Sequence, residues 1–168
     1  MSRSTARIAA MQVVYEQLSG SEGGDETLEM IYDEFRSEGI YSLDHHAPSR
    51  KEKEWIEATV EGVLNHLDEL DRQIEPFLKH WTLERLPKVD LIILRIGTWE
   101  MNRHDPDSPD GAIINACVNL AKTYGEDETG RFINGVLGSI SRSIHPARSS
   151  ENAKPEEEKA SEKNVENP

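Results

Sequence analysis

Between Ile113 and Ile140 the chain reads IINACVNLAKTYGEDETGRFINGVLGSI, two apolar stripes at helical spacing around a short acidic turn. Ile113, Cys117, Leu120 and Tyr124 recur every three or four residues. Ile133, Val136, Leu137, Ile140 and Ile144 do the same. Lys122 suits the negative end of the first helix dipole, and Gly125 sits where a left-handed C-cap is expected. Asp127 and Glu128 stand at the opening of the second helix, where carboxylates meet unpaired N–H groups. The expectation is an antiparallel helical hairpin on which the rest of the chain packs.

A second stretch demands a place inside the molecule. From Lys88 to Arg103, the residues Val89, Leu91, Ile92, Ile93, Leu94, Ile96 and Trp99 leave no wide polar face, as in a helix covered all round. Upstream, a helix capped by Ser4 or Thr5 is expected, with Ile8, Met11, Tyr15 and Leu18 as its stripe and Val14 beside it. Residues 19–25 are a loop by composition. A helix over 26–37 would bury Leu28, Ile31, Tyr32 and Phe35, and Gly39 would end it.

After an irregular connection over 40–48, Ser49 can cap a long helix to about Asp68, with Trp55, Thr59, Val60, Val63, Leu64 and Leu67 inward. A break near Leu70-Asp71 would lead to a shorter helix ending near His80 and disturbed by Pro76. Residues 81–87 connect, with Leu83 and Leu86 as packing residues, and the proline-containing segment 105–110 is a loop whose Asp110 can cap the next helix. No strand-like alternation and no fixed-period repeat occurs. The fold class is all-α with about seven helices, in a domain over 1–144. The segment 145–168 is rich in Glu, Lys, Ser, Asn and Pro, with Val165 its only large aliphatic residue. Such a tail cannot bury enough apolar surface to offset its ordering entropy, so disorder is expected.

Charge narrows the function. The net charge is −13, which argues against non-specific binding to nucleic acid and for a basic protein partner. The single Cys117 cannot form an internal disulfide and fits a reducing cytoplasm. No stretch approaches the length of a membrane span and no signal peptide opens the chain. Catalysis finds little support. His45-His46 is not at ligand spacing, and no other His or Cys completes a metal set. His104 follows Glu100 by four, an ordinary surface pair; Cys117 lacks a base; and Gly125 to Gly130 lacks the lysine and hydroxyl of a phosphate loop. No cofactor is called for.

Four groups of residues stand out as candidate sites. Arg3 and Arg7 lie four apart on one helix face and can meet phosphates, although two solvated arginines are the ordinary reading of such a pair. Tyr15 could stack on an unpaired base or belong to the core, and Gln12 lies one turn before it, within reach of a base edge. The turn around Asp127, Glu128, Thr129 and Arg131, with Lys122 nearby, combines acceptors for a base amino group with cationic donors, or is simply a capped, charged first turn. Glu75, Glu84, Asp90 and Glu100 run along the middle of the chain as solvated acids or as a docking face for a basic partner.

These same segments resemble the NusB family of bacterial transcription antitermination factors. The resemblance rests on Asn115, Leu120-Ala121-Lys122, the acidic turn and Phe132-Ile133-Asn134-Gly135-Val136-Leu137. It extends to Ile93-Leu94-Arg95-Ile96-Gly97-Thr98-Trp99-Glu100, and to Ala6-Arg7 with Gln12, Tyr15 and Leu18. It spans residues 4 to 142 and implies two packed three-helix bundles and no enzymatic activity. It also implies a partner, the small-subunit ribosomal protein NusE. The pair would bind single-stranded box A RNA of ribosomal RNA leaders and join an RNA polymerase elongation complex with other Nus factors. The resemblance assigns RNA contact to the arginine segment and to the acidic turn, and the partner to the acidic middle helices. The chain departs from the family where Ser4 and Thr5 interrupt the basic run, which predicts weaker RNA binding or more dependence on the partner. An alternative is a protein scaffold with little RNA affinity. A third possibility is the accessory domain of an RNA cytosine methyltransferase, although a polar tail, not a catalytic domain, follows here.

Overall fold

The computed structural model describes residues 3–20, 24–37 and 48–146. His45-His46, Gly39, the connection over 40–47, the side chain of Phe35 and all of the tail beyond Pro146 lie outside the described residues.

Seven α-helices account for the described chain: α1 (Arg3–Leu18), α2 (Gly24–Ser37), α3 (Arg50–Asn65), α4 (Leu67–Ile74), α5 (Lys88–Asn102), α6 (Asp110–Tyr124) and α7 (Thr129–Ile144). Short 3-10 turns cover Glu75–Phe77 and Leu83–Arg85, and no strand occurs among the described residues. Helices α1, α2 and α3 pack as one bundle, and α5, α6 and α7 as a second; α5 touches α1 and α3 and so joins the two. Its sequence explains that place. Ile92, Ile93, Leu94, Ile96 and Met101 are all nearly inaccessible, because neighbours cover α5 on several sides.

Local chemistry sets several boundaries. Ser49 caps α3 in a reciprocal box: its hydroxyl accepts from the Glu52 N–H, and Glu52 accepts from the Ser49 N–H at 2.6 Å. Burial raises the Glu52 carboxyl pKa, but the bonds from Ser49 outweigh it and hold the group below its ordinary value. The break after α3 comes at His66, earlier than Leu70, because Leu70 and Ile74 must continue a helical stripe into the core. Pro76 falls in a 3-10 turn, where its missing N–H costs little.

Four other expectations need correcting. Helix α1 begins at Arg3, so neither Ser4 nor Thr5 caps it, and Thr5 is buried. Its buried face is Ala6, Ala9, Ala10, Met11, Val13 and Val14, while Tyr15 and Leu18 point outward. The small alanines allow close approach of α3 and α5. Asp110 is the first residue of α6 rather than its cap, and accepts a hydrogen bond from the Ser141 hydroxyl at 2.6 Å, tying α6 to α7. Gly125 is extended (φ −96°, ψ −172°), not left-handed; a Cβ there would lie 2.7 Å from the Ala121 carbonyl, so close approach is what requires glycine.

Paired polar contacts seat α4 on α5. Arg95 donates twice to Asp71, at 2.8 and 2.9 Å, and Gln73 and Asn102 exchange amide hydrogen bonds.

Candidate nucleic-acid and partner interface

The two arginines of α1 have separate fates. Arg3 is exposed and its guanidinium lies 4.6 Å from the centroid of the Trp55 ring. Arg7 is 4% exposed, and its Nε donates to Glu100 at 2.7 Å. The spacing rightly puts both on one face, but that face turns from solvent to the α1–α5 contact within one helical turn. Arg7 is therefore not a solvated phosphate contact, and Glu100 is not a partner-facing acid: each is consumed by the other. Burial raises the Glu100 carboxyl pKa, and the neighbouring Arg7 only partly offsets this. His104 does not pair with Glu100. It lies past the end of α5 with φ +52°, its ring edge-on to His145.

Other candidates also move. Tyr15 is 42% exposed and thus belongs to the surface rather than the core. Gln12 is half-buried, and its Oε1 is shielded from solvent with no hydrogen-bond partner among the described residues, so it presents no acceptor to a base edge. Asp90 is 5% exposed and is not an open docking residue. Burial first, and then repulsion from Glu126, raise its pKa against the hydrogen bond from Thr129. Glu75 and Glu84 are exposed as expected.

At the second hairpin the acidic turn is partly open. Glu128 is the residue before α7 and makes no side-chain cap bond; the helix starts at Thr129, which is buried. Asp127, Glu128, Arg131 and Lys122 are exposed, and the Lys122 stem packs where a Cβ on Gly130 would sit 3.2 Å from it.

Two concave surfaces gather these residues. A groove of about 840 Å³ has Trp81, Leu86, Pro87 and Phe132 as its apolar walls, and Glu126, Asp127, Glu128 and Arg131 as its charged rim. Trp81 is 53% exposed, so an aromatic anchor stands open beside acids. In the sequence Trp81 reads as a connector residue and Phe132 only as part of a motif; a tryptophan in a loop between helices is the signal that points to such a groove. A second, polar cleft of about 480 Å³ lies between α1 and α6, and Arg3, Ser4, Arg7, Asp107, Asn115 and Asn119 are among its lining residues. Asn115, Asn119 and Lys122 are all exposed on α6 at spacings of four and three, so one solvent face leads from this cleft toward the acidic turn. Tyr15 lines neither surface.

Among the described residues no group of three acids, histidines or cysteines is placed to hold a metal ion, and no helix is long and apolar enough to cross a membrane.

Residues 4–142 match the model of the NusB family. The chain is 36% identical over 140 residues to the transcription antitermination protein NusB of Acetivibrio thermocellus, covering 83% of this chain and 88% of that one. It is 52% identical over 81 residues to that of an Arthrobacter species, a match spanning 48% of this chain and 59% of the relative. Among solved structures it is similar to T. maritima NusB, with a TM-score of 0.72, 28% identity and coverage of 90% of this chain and 98% of the other. It is also similar to a chain in a crystal structure of antitermination factors NusB and NusE in complex with dsRNA. That TM-score is 0.66 at 27% identity, with coverage of 84% and 96%.

Proposed function

We propose, from the premise that this chain belongs to the NusB family, that its antitermination activity is exerted as an RNA-binding subunit paired with NusE. The pair reads box A RNA in ribosomal RNA leaders, acts in the cytoplasm and joins an RNA polymerase elongation complex with other Nus factors. The chain contributes binding surfaces and no catalysis. The observation that carries this reading is the likeness to a chain of the complex of NusB and NusE with dsRNA.

The surfaces support a division of labour. RNA contact falls to Arg3, Lys122, Arg131 and the hydrogen-bonding groups of the turn, with Tyr15 available for stacking. Arg7 acts indirectly by holding α1 against α5. Too few free cations face these surfaces to offset a net charge of −13, so a basic partner supplies the rest. The groove walled by Trp81, Leu86 and Phe132 and rimmed by acids suits a basic partner with an apolar anchor, and Glu84 and Glu75 extend the acidic surface.

Titration calorimetry of NusE into the full chain tests the partner half. Trp81→Ala should weaken binding by about tenfold or more, as for an aromatic anchor. Glu84→Lys should slow association and lessen its salt dependence. Wild-type affinity in both variants would move the interface elsewhere. The second reading, a scaffold with little RNA affinity, draws on the burial of Arg7, which leaves Arg3 as the only exposed cation on α1.

A further inference from the structure

The polar cleft between the first turn of α1 and α6 has no assigned role, and its walls are unusual for so acidic a chain. Arg3 stands exposed on one side. On the other, Asn115 and Asn119 stand four residues apart on α6, so their side chains share a face. Both are exposed, and neither side-chain amide has a hydrogen-bond partner among the described residues. The Arg7–Glu100 pair stiffens the floor. At about 480 Å³ the cleft falls in the size range of small-ligand sites.

We infer that this cleft takes one nucleotide of the bound RNA, with Asn115 and Asn119 reading the base and Arg3 holding its phosphate. The inference rests on the RNA-binding reading above and adds the residues that give it selectivity at one position. An asparagine amide presents a donor and an acceptor side by side, the complement of the adenine edge at N6 and N7, and an unpaired adenine exposes that edge. The exposed Asp107 carboxylate disfavours a phosphate at its own side of the cleft and can accept from the exocyclic amine. The chemistry thus orients the nucleotide, with the phosphate toward α1 and the base toward α6.

The test uses the full chain with NusE, a labelled box A RNA and a panel carrying single-base replacements at each adenine. The wild type should discriminate against replacement of one adenine by about 5- to 150-fold. In Asn115→Ala/Asn119→Ala that discrimination should fall to near unity, with the salt slope unchanged. Alanine is well tolerated on an exposed helix face, so folding is not at risk. Arg3→Ala should weaken all RNAs alike and reduce the salt slope by about one. A double variant that discriminates as the wild type does would overturn the inference while leaving RNA binding intact. A double variant that discriminates normally but loses self-association in sedimentation would overturn it too, making the cleft a contact between copies. A wild type that binds no RNA would remove the underlying reading itself.

Discussion

Arg7 and Glu100, 93 residues apart in sequence, meet through a 2.7 Å hydrogen bond with both side chains 5% exposed. The pair fastens the first helix to the central one. Removing one partner strands the other charge in a place that water does not reach. Arg7→Ala should cost about 3–5 kcal/mol in denaturant unfolding. The loss should be smaller in mild acid. Without Arg7, the Glu100 carboxyl loses the interaction that partly offsets its upward shift, so its folded pKa stands further above the unfolded one. Stability then falls as pH rises through that window and returns as pH drops and the acid protonates. Replacing both residues by apolar ones of similar size should recover most of the stability.

The bundles interlock at Gly62. A Cβ built there would lie 2.1 Å from the Trp99 ring, a distance no side chain can accept. Gly62→Ala should therefore destabilise by about 1–3 kcal/mol or more, through displacement of the indole. Trp99→Leu should lessen the added penalty, and a thermal-melt double-mutant cycle would show the coupling. Additive effects would mean that the close approach is not what constrains this position.

Asp90 offers a pH-dependent gain. Its carboxyl is raised by burial and by Glu126, and one of its oxygens has no hydrogen-bond partner among the described residues. A raised folded pKa means that the carboxyl favours folding at low pH and progressively less as pH rises above the ordinary carboxylate range. Asp90→Asn should thus raise the midpoint of thermal unfolding at pH 7, and the advantage should shrink as pH falls toward the ordinary carboxylate range. Lower stability at pH 7 would show that the charge is needed by the Thr129 hydroxyl.

Cys117 should be chemically silent. It is fully buried, and burial first, then Glu100, push its thiol up to about 12 from the ordinary 9.0. Labelling by an aromatic disulfide reagent at pH 8 should proceed at the rate of opening of the fold and speed up in Arg7→Ala. Fast labelling of the wild type would contradict the close packing of α5 on α6.

Much of this molecule is legible in its sequence, and the exceptions share a cause. Periodicity located α5, α6 and α7 to within a residue or two, because each keeps an unbroken apolar pattern between clear breakers. The Ser49 cap was visible because its chemistry is local. The burial of Arg7 and Glu100 is not legible in the sequence, because helical spacing tells which residues share a face, not whether another helix covers it. The reason for glycine at position 125 is likewise hidden from the sequence, since the crowding comes from the preceding turn of α6 and from Thr129 across the loop. The Trp81–Phe132 groove and the Arg3–Asn119 cleft join residues far apart in the chain, a relation that no single segment records.

The most direct measurement is fluorescence anisotropy of labelled box A RNA against the full chain, with and without NusE, at several salt concentrations. The folded variants Arg3→Ala and Arg131→Ala are compared with the wild type. Arg7→Ala is a poor probe because it loosens the fold. The expected result is tight, sequence-selective binding only with NusE present, and a salt slope lowered by about one in each variant. Equal affinity for a scrambled RNA, or binding untouched by both substitutions, would contradict it and leave the chain a scaffold.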